Sequence, residues 1–107
     1  MIVVTYKRSE YSVSIRGHAG SNEPGRDLVC AAVSILTYTL SGAIDRMLTD
    51  NLASSGVIQI DPGDTDISCN PNDNYKDKAS IIMDSICRGF VLLSDNYPQY
   101  IQTIIDD

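Results

Sequence analysis

The sequence predicts an α+β fold: one small domain over residues 1–107, a mixed β-sheet with two α-helices packed on it, in the order ββα-ββα-β. Three observations carry that expectation. The first is a β-branched and aromatic start, Ile2-Val3-Val4-Thr5-Tyr6-Lys7, followed by a cleanly alternating stretch, Glu10 to His18. Two long segments, near 27–50 and 76–94, instead repeat apolar residues at steps of three and four. Short β-branched runs, each bounded by turn-forming residues, separate and follow those segments.

Each element has a local reason. A tight turn at Arg8-Ser9 joins the first two strands, and Tyr11, Val13 and Ile15 share one face against Ser12, Ser14, Arg16 and His18 on the other. By that parity His18 falls on the open face at the strand's end. Residues 19–26, Ala-Gly-Ser-Asn-Glu-Pro-Gly-Arg, are loop by composition. Asp27 is placed to cap a long helix over roughly 27–50, in which Leu28, Ala32, Ile35, Leu36, Thr39, Ala43 and Met47 keep helical spacing. Apolar residues on most of its circumference predict a largely buried helix.

Ser54-Ser55-Gly56 reads as a turn, and residues 57–61 and 65–69 as a hairpin around Pro62-Gly63-Asp64. Residues 70–74, Asn-Pro-Asn-Asp-Asn, read as loop. Ala79, Ile82, Met83, Ile86, Cys87, Phe90 and Leu93 mark the second helix, which Tyr97-Pro98 ends. Residues 100–104 form a last short strand.

Composition narrows the function. With 8 Lys+Arg against 14 Asp+Glu the formal net charge is −6, which disfavours direct nucleic-acid or anionic-membrane binding and favours a cationic partner. The apolar start is too short for a signal peptide or a membrane span. Three cysteines cannot all pair within one chain, and their scatter fits a reducing cytoplasm. No Cys-x-x-Cys pair suggests a metal site, and no cofactor is implied.

One pairing could carry chemistry. The single His, His18, stands twelve residues before Cys30, near the start of a helix. Thiolates beside an imidazole or a helix N-terminus are the reactive ones, and unpaired first-turn N–H groups could hold an oxyanion. The plainer alternative is a core cysteine in an apolar flank, with His18 an exposed bystander.

The residues around that pair narrow the choice. Gly17-His18-Ala19, a glycine-containing loop, then Asp27-Leu28-Val29-Cys30-Ala31-Ala32-Val33-Ser34 resembles the Prp family of bacterial ribosomal-processing cysteine proteases, whose pattern is G-H-A, a short mobile loop and D-x-V-C-A-A-x-S. The resemblance covers nearly the whole chain. It implies Cys30 as nucleophile and His18 as general base, with an acyl-enzyme intermediate. Asp27, Ser34 and Gly17 would support them. Asp27 orients His18 or only caps the helix, Ser34 hydrogen-bonds near the site or only to its own helix, and Gly17 lets backbone approach closely.

Ala19, Gly20, Ser21, Asn22, Glu23, Pro24, Gly25 and Arg26 would form a mobile substrate loop. The implied substrate is the N-terminal extension of a basic large-subunit ribosomal protein precursor, number twenty-seven. A homodimer is implied as well, consistent with surplus apolar surface at Val91 and Leu92. A non-catalytic, ribosome-associated peptide-binding module on the same fold is the alternative. Cys69 and Cys87 read as core residues, and the aspartates between 61 and 73 as turn residues.

Overall fold

The computed structural model of the protein describes residues 1–20 and 25–107. Five strands form a single mixed sheet: β1 (Ile2–Lys7), β2 (Ser12–Gly17), β3 (Ala53–Asp61), β4 (Asp64–Pro71) and β5 (Ile101–Asp106). They lie in the order β3-β4-β2-β1-β5. Only β5 runs parallel to its neighbour, β1. Helix α1 (Arg26–Thr49) links β2 to β3, and α2 (Lys76–Asn96) links β4 to β5. The α+β class and the ββα-ββα-β order follow the sequence expectation.

Alternation decides which face the helices cover. Ile2, Val4 and Tyr6 of β1, Val13 and Ile15 of β2, and Ile67 and Cys69 of β4 are buried. Register brings these side chains level: Val4 opposes Ile15, Tyr6 opposes Val13, and Val13 opposes Ile67. The helices bury Val29, Val33, Leu40, Ile44 and Met47 from α1, with Ala79, Met83, Cys87 and Phe90 from α2, against that face. Each fully buried large apolar side chain contributes about 1.5–3 kcal/mol by leaving water.

Several local expectations are corrected. The first hairpin is joined by a short 3-10 turn over Arg8–Glu10, with Tyr11 in the left-handed region at φ 50°, rather than by two residues. Ser54-Ser55-Gly56 is not a turn but part of β3, because β4 offers hydrogen-bonding partners along its whole length and a register shift between Ala53 and Ser55 absorbs the irregularity. Asn70 and Pro71 likewise belong to β4, and Asp73–Tyr75 form a 3-10 turn leading into α2.

Helix α1 differs most. Its buried stripe is Val29, Val33, Thr37, Leu40, Ile44 and Met47, whereas Leu28, Ile35 and Tyr38 are 57%, 64% and 61% exposed. An apolar helix offers no contrast from which spacing could choose the inward side, so the sheet chooses it. By length and composition alone α1 could also cross a membrane. In this fold its Val29–Met47 stripe is instead committed to the core.

Candidate active site

The edge of α1 nearest its N-terminus, the end of β2 and the β3–β4 turn enclose a cavity of about 310 Å³. That is small for a binding site, at the lower end of the range for ligand pockets. His18 and Cys30 both line it, together with Gly17, Ala19 and Ser34. Two segments separated by a loop in the sequence therefore meet at one opening.

Helical geometry supplies one wall. Cys30, Ser34, Thr37 and Tyr38 follow each other at steps of four, three and one, so they share a face of α1. Cys30 is exposed, and it is the only exposed thiol, since Cys69 and Cys87 are buried. Thr37 is buried and its hydroxyl donates to the Val33 carbonyl at 2.7 Å, so it is a closed part of the wall. The spacing from Cys30 was a signal that could have found Tyr38.

The helix begins earlier relative to Cys30 than expected. Gly25, at φ 86°, occupies the N-cap position, and the Val29 N–H already donates to the Gly25 carbonyl at 3.1 Å. Asp27 is consequently not the cap but the second helical residue, and Cys30 is the fifth, just beyond the first turn. The unpaired N–H groups of the helix start precede Val29.

Asp27 does not join the cavity. Its side chain is 91% exposed and accepts from Arg26 at 2.8 Å. Arg26 is the more informative neighbour. One helical turn before Cys30, its guanidinium is held protonated chiefly by the hydrogen bond to Asp27, and in smaller part by the attraction of a Cys30 thiolate. It also donates to the Gly20 carbonyl at 3.2 Å, tying the start of α1 to the segment after His18.

The opposite wall comes from residues that no local motif marked. Ile60, Asp61, Pro62, Gly63, Asp64 and Thr65 reach the cavity from the β3–β4 turn. A Cβ added to Gly63 would lie 2.6 Å from Nε2 and 2.8 Å from Cε1 of His18, so this turn touches the imidazole. Asp61 and Asp64 give the rim carboxylates, and neither Lys nor Arg is among the described residues lining it. Asp64 is paired with Arg16 at 3.3 Å.

His18 follows the last residue of β2. Gly17 at φ 94° ends the strand's alternation, and His18, although exposed, borders the same cavity as Ile15 and Val33 from the covered side. Of the expected substrate loop, Ala19 is buried in the core and Arg26 belongs to α1. Ser21, Asn22, Glu23 and Pro24 lie outside the described residues. Among the described residues no group of three or more His, Cys, Asp or Glu could hold a metal ion.

Comparison with known proteins gives a consistent result. The family model for the cysteine protease Prp matches residues 1–102. The crystal structure of an essential ribosomal processing protease Prp from Staphylococcus aureus, with a covalently linked product peptide, is similar at TM-score 0.70 and 25% identity, over 99% of this chain and 100% of that one. The same S. aureus protease in complex with a substrate peptide matches at TM-score 0.70 and 24% identity, over 99% and 100% of the two chains. SMU.848 from Streptococcus mutans matches at TM-score 0.68 and 28% identity, over 98% and 91%. No curated protein matches the chain.

Proposed function

The chain belongs to the Prp family of cysteine proteases, and on that premise we propose that Cys30 and His18 are its catalytic pair and that it removes the N-terminal extension of a large-subunit ribosomal protein precursor, number twenty-seven. The observation that carries this reading is that His18 and Cys30, the chain's single imidazole and its single exposed thiol, border one cavity.

In this mechanism His18 takes the proton from the Cys30 Sγ, and the thiolate attacks the scissile carbonyl carbon. The tetrahedral intermediate collapses as His18 gives its proton to the leaving amine, leaving an acyl group on Sγ. Water then loses a proton to His18 and attacks the thioester. Collapse of that second intermediate releases the new carboxylate, and the proton returns to Cys30.

Supporting the substrate reading, the described residues lining the cavity include Asp61 and Asp64 (the latter paired with Arg16) and neither Lys nor Arg, in a chain of net charge −6. Such a rim suits a basic protein. The S. aureus relative is itself described as a ribosomal processing protease. The reading includes work in the cytoplasm, where three unpaired thiols are at home. It includes a homodimer, for which the exposed Leu28, Ile35 and Tyr38 on α1 offer apolar surface.

Intact-mass analysis of the organism's own precursor, incubated with the parent protein, Cys30→Ala and His18→Ala, tests the proposal. Loss of one discrete N-terminal fragment with the parent alone supports it. Cleavage that survives Cys30→Ala, or an unchanged precursor with folded parent protein, overturns it.

A further inference from the structure

We infer that Gly63, at the tip of the β3–β4 turn, is a positioning residue that sets the place of the His18 imidazole; this rests on the reading of His18 as the general base. Two separate contacts join the turn to the His18 segment. The Gly17 N–H donates to the Gly63 carbonyl at 3.1 Å, fixing the backbone immediately before His18. On the side-chain level, a Cβ on Gly63 would stand 2.6, 2.8 and 3.4 Å from Nε2, Cε1 and Cδ2 of His18. The imidazole therefore rests on the bare Cα of Gly63, in space that any other residue would fill.

The turn that presents Gly63 is held in place independently. Pro62 and Gly63 connect Asp61 to its β4 partner Asp64, and Gly63 takes φ 70°, as the third residue of a Pro-Gly turn requires. From β2, Arg16 pairs with Asp64 at 3.3 Å and Asp66 at 2.8 Å, and donates to the Thr65 carbonyl at 2.6 Å. The turn is thus clamped to the strand that carries His18. His18 as a residue is exposed. An added Cβ would displace the imidazole rather than the clamped backbone, so the effect falls on the reaction more than on the fold. A displacement of about 1 Å at a reacting group can cost on the order of a hundredfold in rate.

Gly63→Ala and Gly63→Asn separate contact from strain, because Asn tolerates the left-handed region better than Ala while adding the same Cβ. These variants, His18→Ala and the parent are compared by thermal unfolding, by kcat and KM on a synthetic peptide spanning the precursor extension, and by the rate of Cys30 alkylation with iodoacetamide from pH 5 to 9. The expected result is that both Gly63 variants fold, lose about tenfold or more in kcat with KM within about twofold, and shift their alkylation profile toward that of His18→Ala.

Parent-like kinetics and alkylation in both Gly63 variants, with His18→Ala impaired, overturn the positioning role and leave His18 as base. Recovery in Gly63→Asn alone assigns the loss to strain and also overturns it. A His18→Ala variant indistinguishable from the parent removes the base itself, and the inference with it. If neither Gly63 variant folds, the parent decides alone: a nuclear Overhauser effect between Gly63 Hα and the ring protons of the single histidine supports the contact, and its absence overturns it.

Discussion

The α-carbon of Gly17 lies against the carbonyl of Met1: a Cβ at that position would stand 2.2 Å from the Met1 oxygen. Gly17 is also held at φ 94°. Backbone on both sides is fixed, since Ile2 opposes Gly17 in the β1–β2 ladder and the Ile2 N–H donates to Tyr100 at 2.8 Å. Gly17→Ala is expected to destabilise the fold by about 2–4 kcal/mol, combining left-handed strain with a clash that backbone cannot relieve. Chemical denaturation measures it directly. A loss under about 0.5 kcal/mol would show that Met1 yields freely.

Thiol chemistry should discriminate among the three cysteines. Cys30 is exposed, whereas Cys69 and Cys87 are 5% and 1% exposed, and burial raises both of their pKa values. Since the thiolate is the reacting form, native protein treated briefly with iodoacetamide at neutral pH should gain one adduct, at Cys30. In denaturant the number should rise to three. Peptide mapping that places the native adduct on Cys87 would contradict the packing of α2.

Stability should fall at both ends of the pH range. Burial, and then the nearby Asp84 charge, pushes the Cys87 thiol from 9.0 up to about 12. Burial, followed by the hydrogen bond to Asp84, raises the Tyr6 hydroxyl above its ordinary 10.0. Both groups keep protons in the folded chain that the unfolded chain would release. Their contribution is therefore whole below about pH 9 and lost as pH rises through the folded values. Asp84 acts in the opposite sense. Burial opposes its ionisation, but hydrogen bonds from Arg8 and Tyr6 outweigh burial and hold its carboxyl below 3.8. That contribution is present above about pH 4 and lost as pH falls through the folded value. Denaturation midpoints across pH should form a plateau with two falling limbs.

Tyr6→Phe probes the same network more narrowly. The Tyr6 hydroxyl donates to Asp84 at 2.7 Å, and Arg8 donates to both Asp84 oxygens at 3.2 and 2.9 Å. Removing the hydroxyl leaves Asp84 held by Arg8 alone, at an expected cost of about 1–3 kcal/mol. The alkaline limb should also flatten, because one of the groups behind it is gone. An unchanged midpoint would mean that the Tyr6 bond adds nothing to the Arg8 pairing.

The two sides of α1 should respond differently to truncation. Leu40 is fully buried, so Leu40→Ala should cost about 2–5 kcal/mol through lost burial and a residual cavity. Ile35, 64% exposed, should tolerate the same change within about 0.5 kcal/mol in the monomer. Equal effects would mean that the inward face of the helix is wrongly assigned.

Much of this molecule follows from local sequence. Alternation at Tyr11-Val13-Ile15 and helical spacing from Ala79 to Phe90 specify element type, since a period of two or of 3.6 places apolar residues on one face only in the matching backbone. The Gly17-His18-Ala19 and Asp27-to-Ser34 segments identify the family, because fixed residues at a fixed separation survive without any knowledge of their contacts. Tertiary structure decided the rest. Which side of an apolar α1 turns inward depended on the sheet, and whether Ser54-Ser55-Gly56 extends or turns depended on β4 as a pairing partner. Gly63 carries no local mark of its contact with His18, which lies 45 residues earlier. Such a contact arises only when β4 pairs with β2, and no periodicity within either strand can encode it.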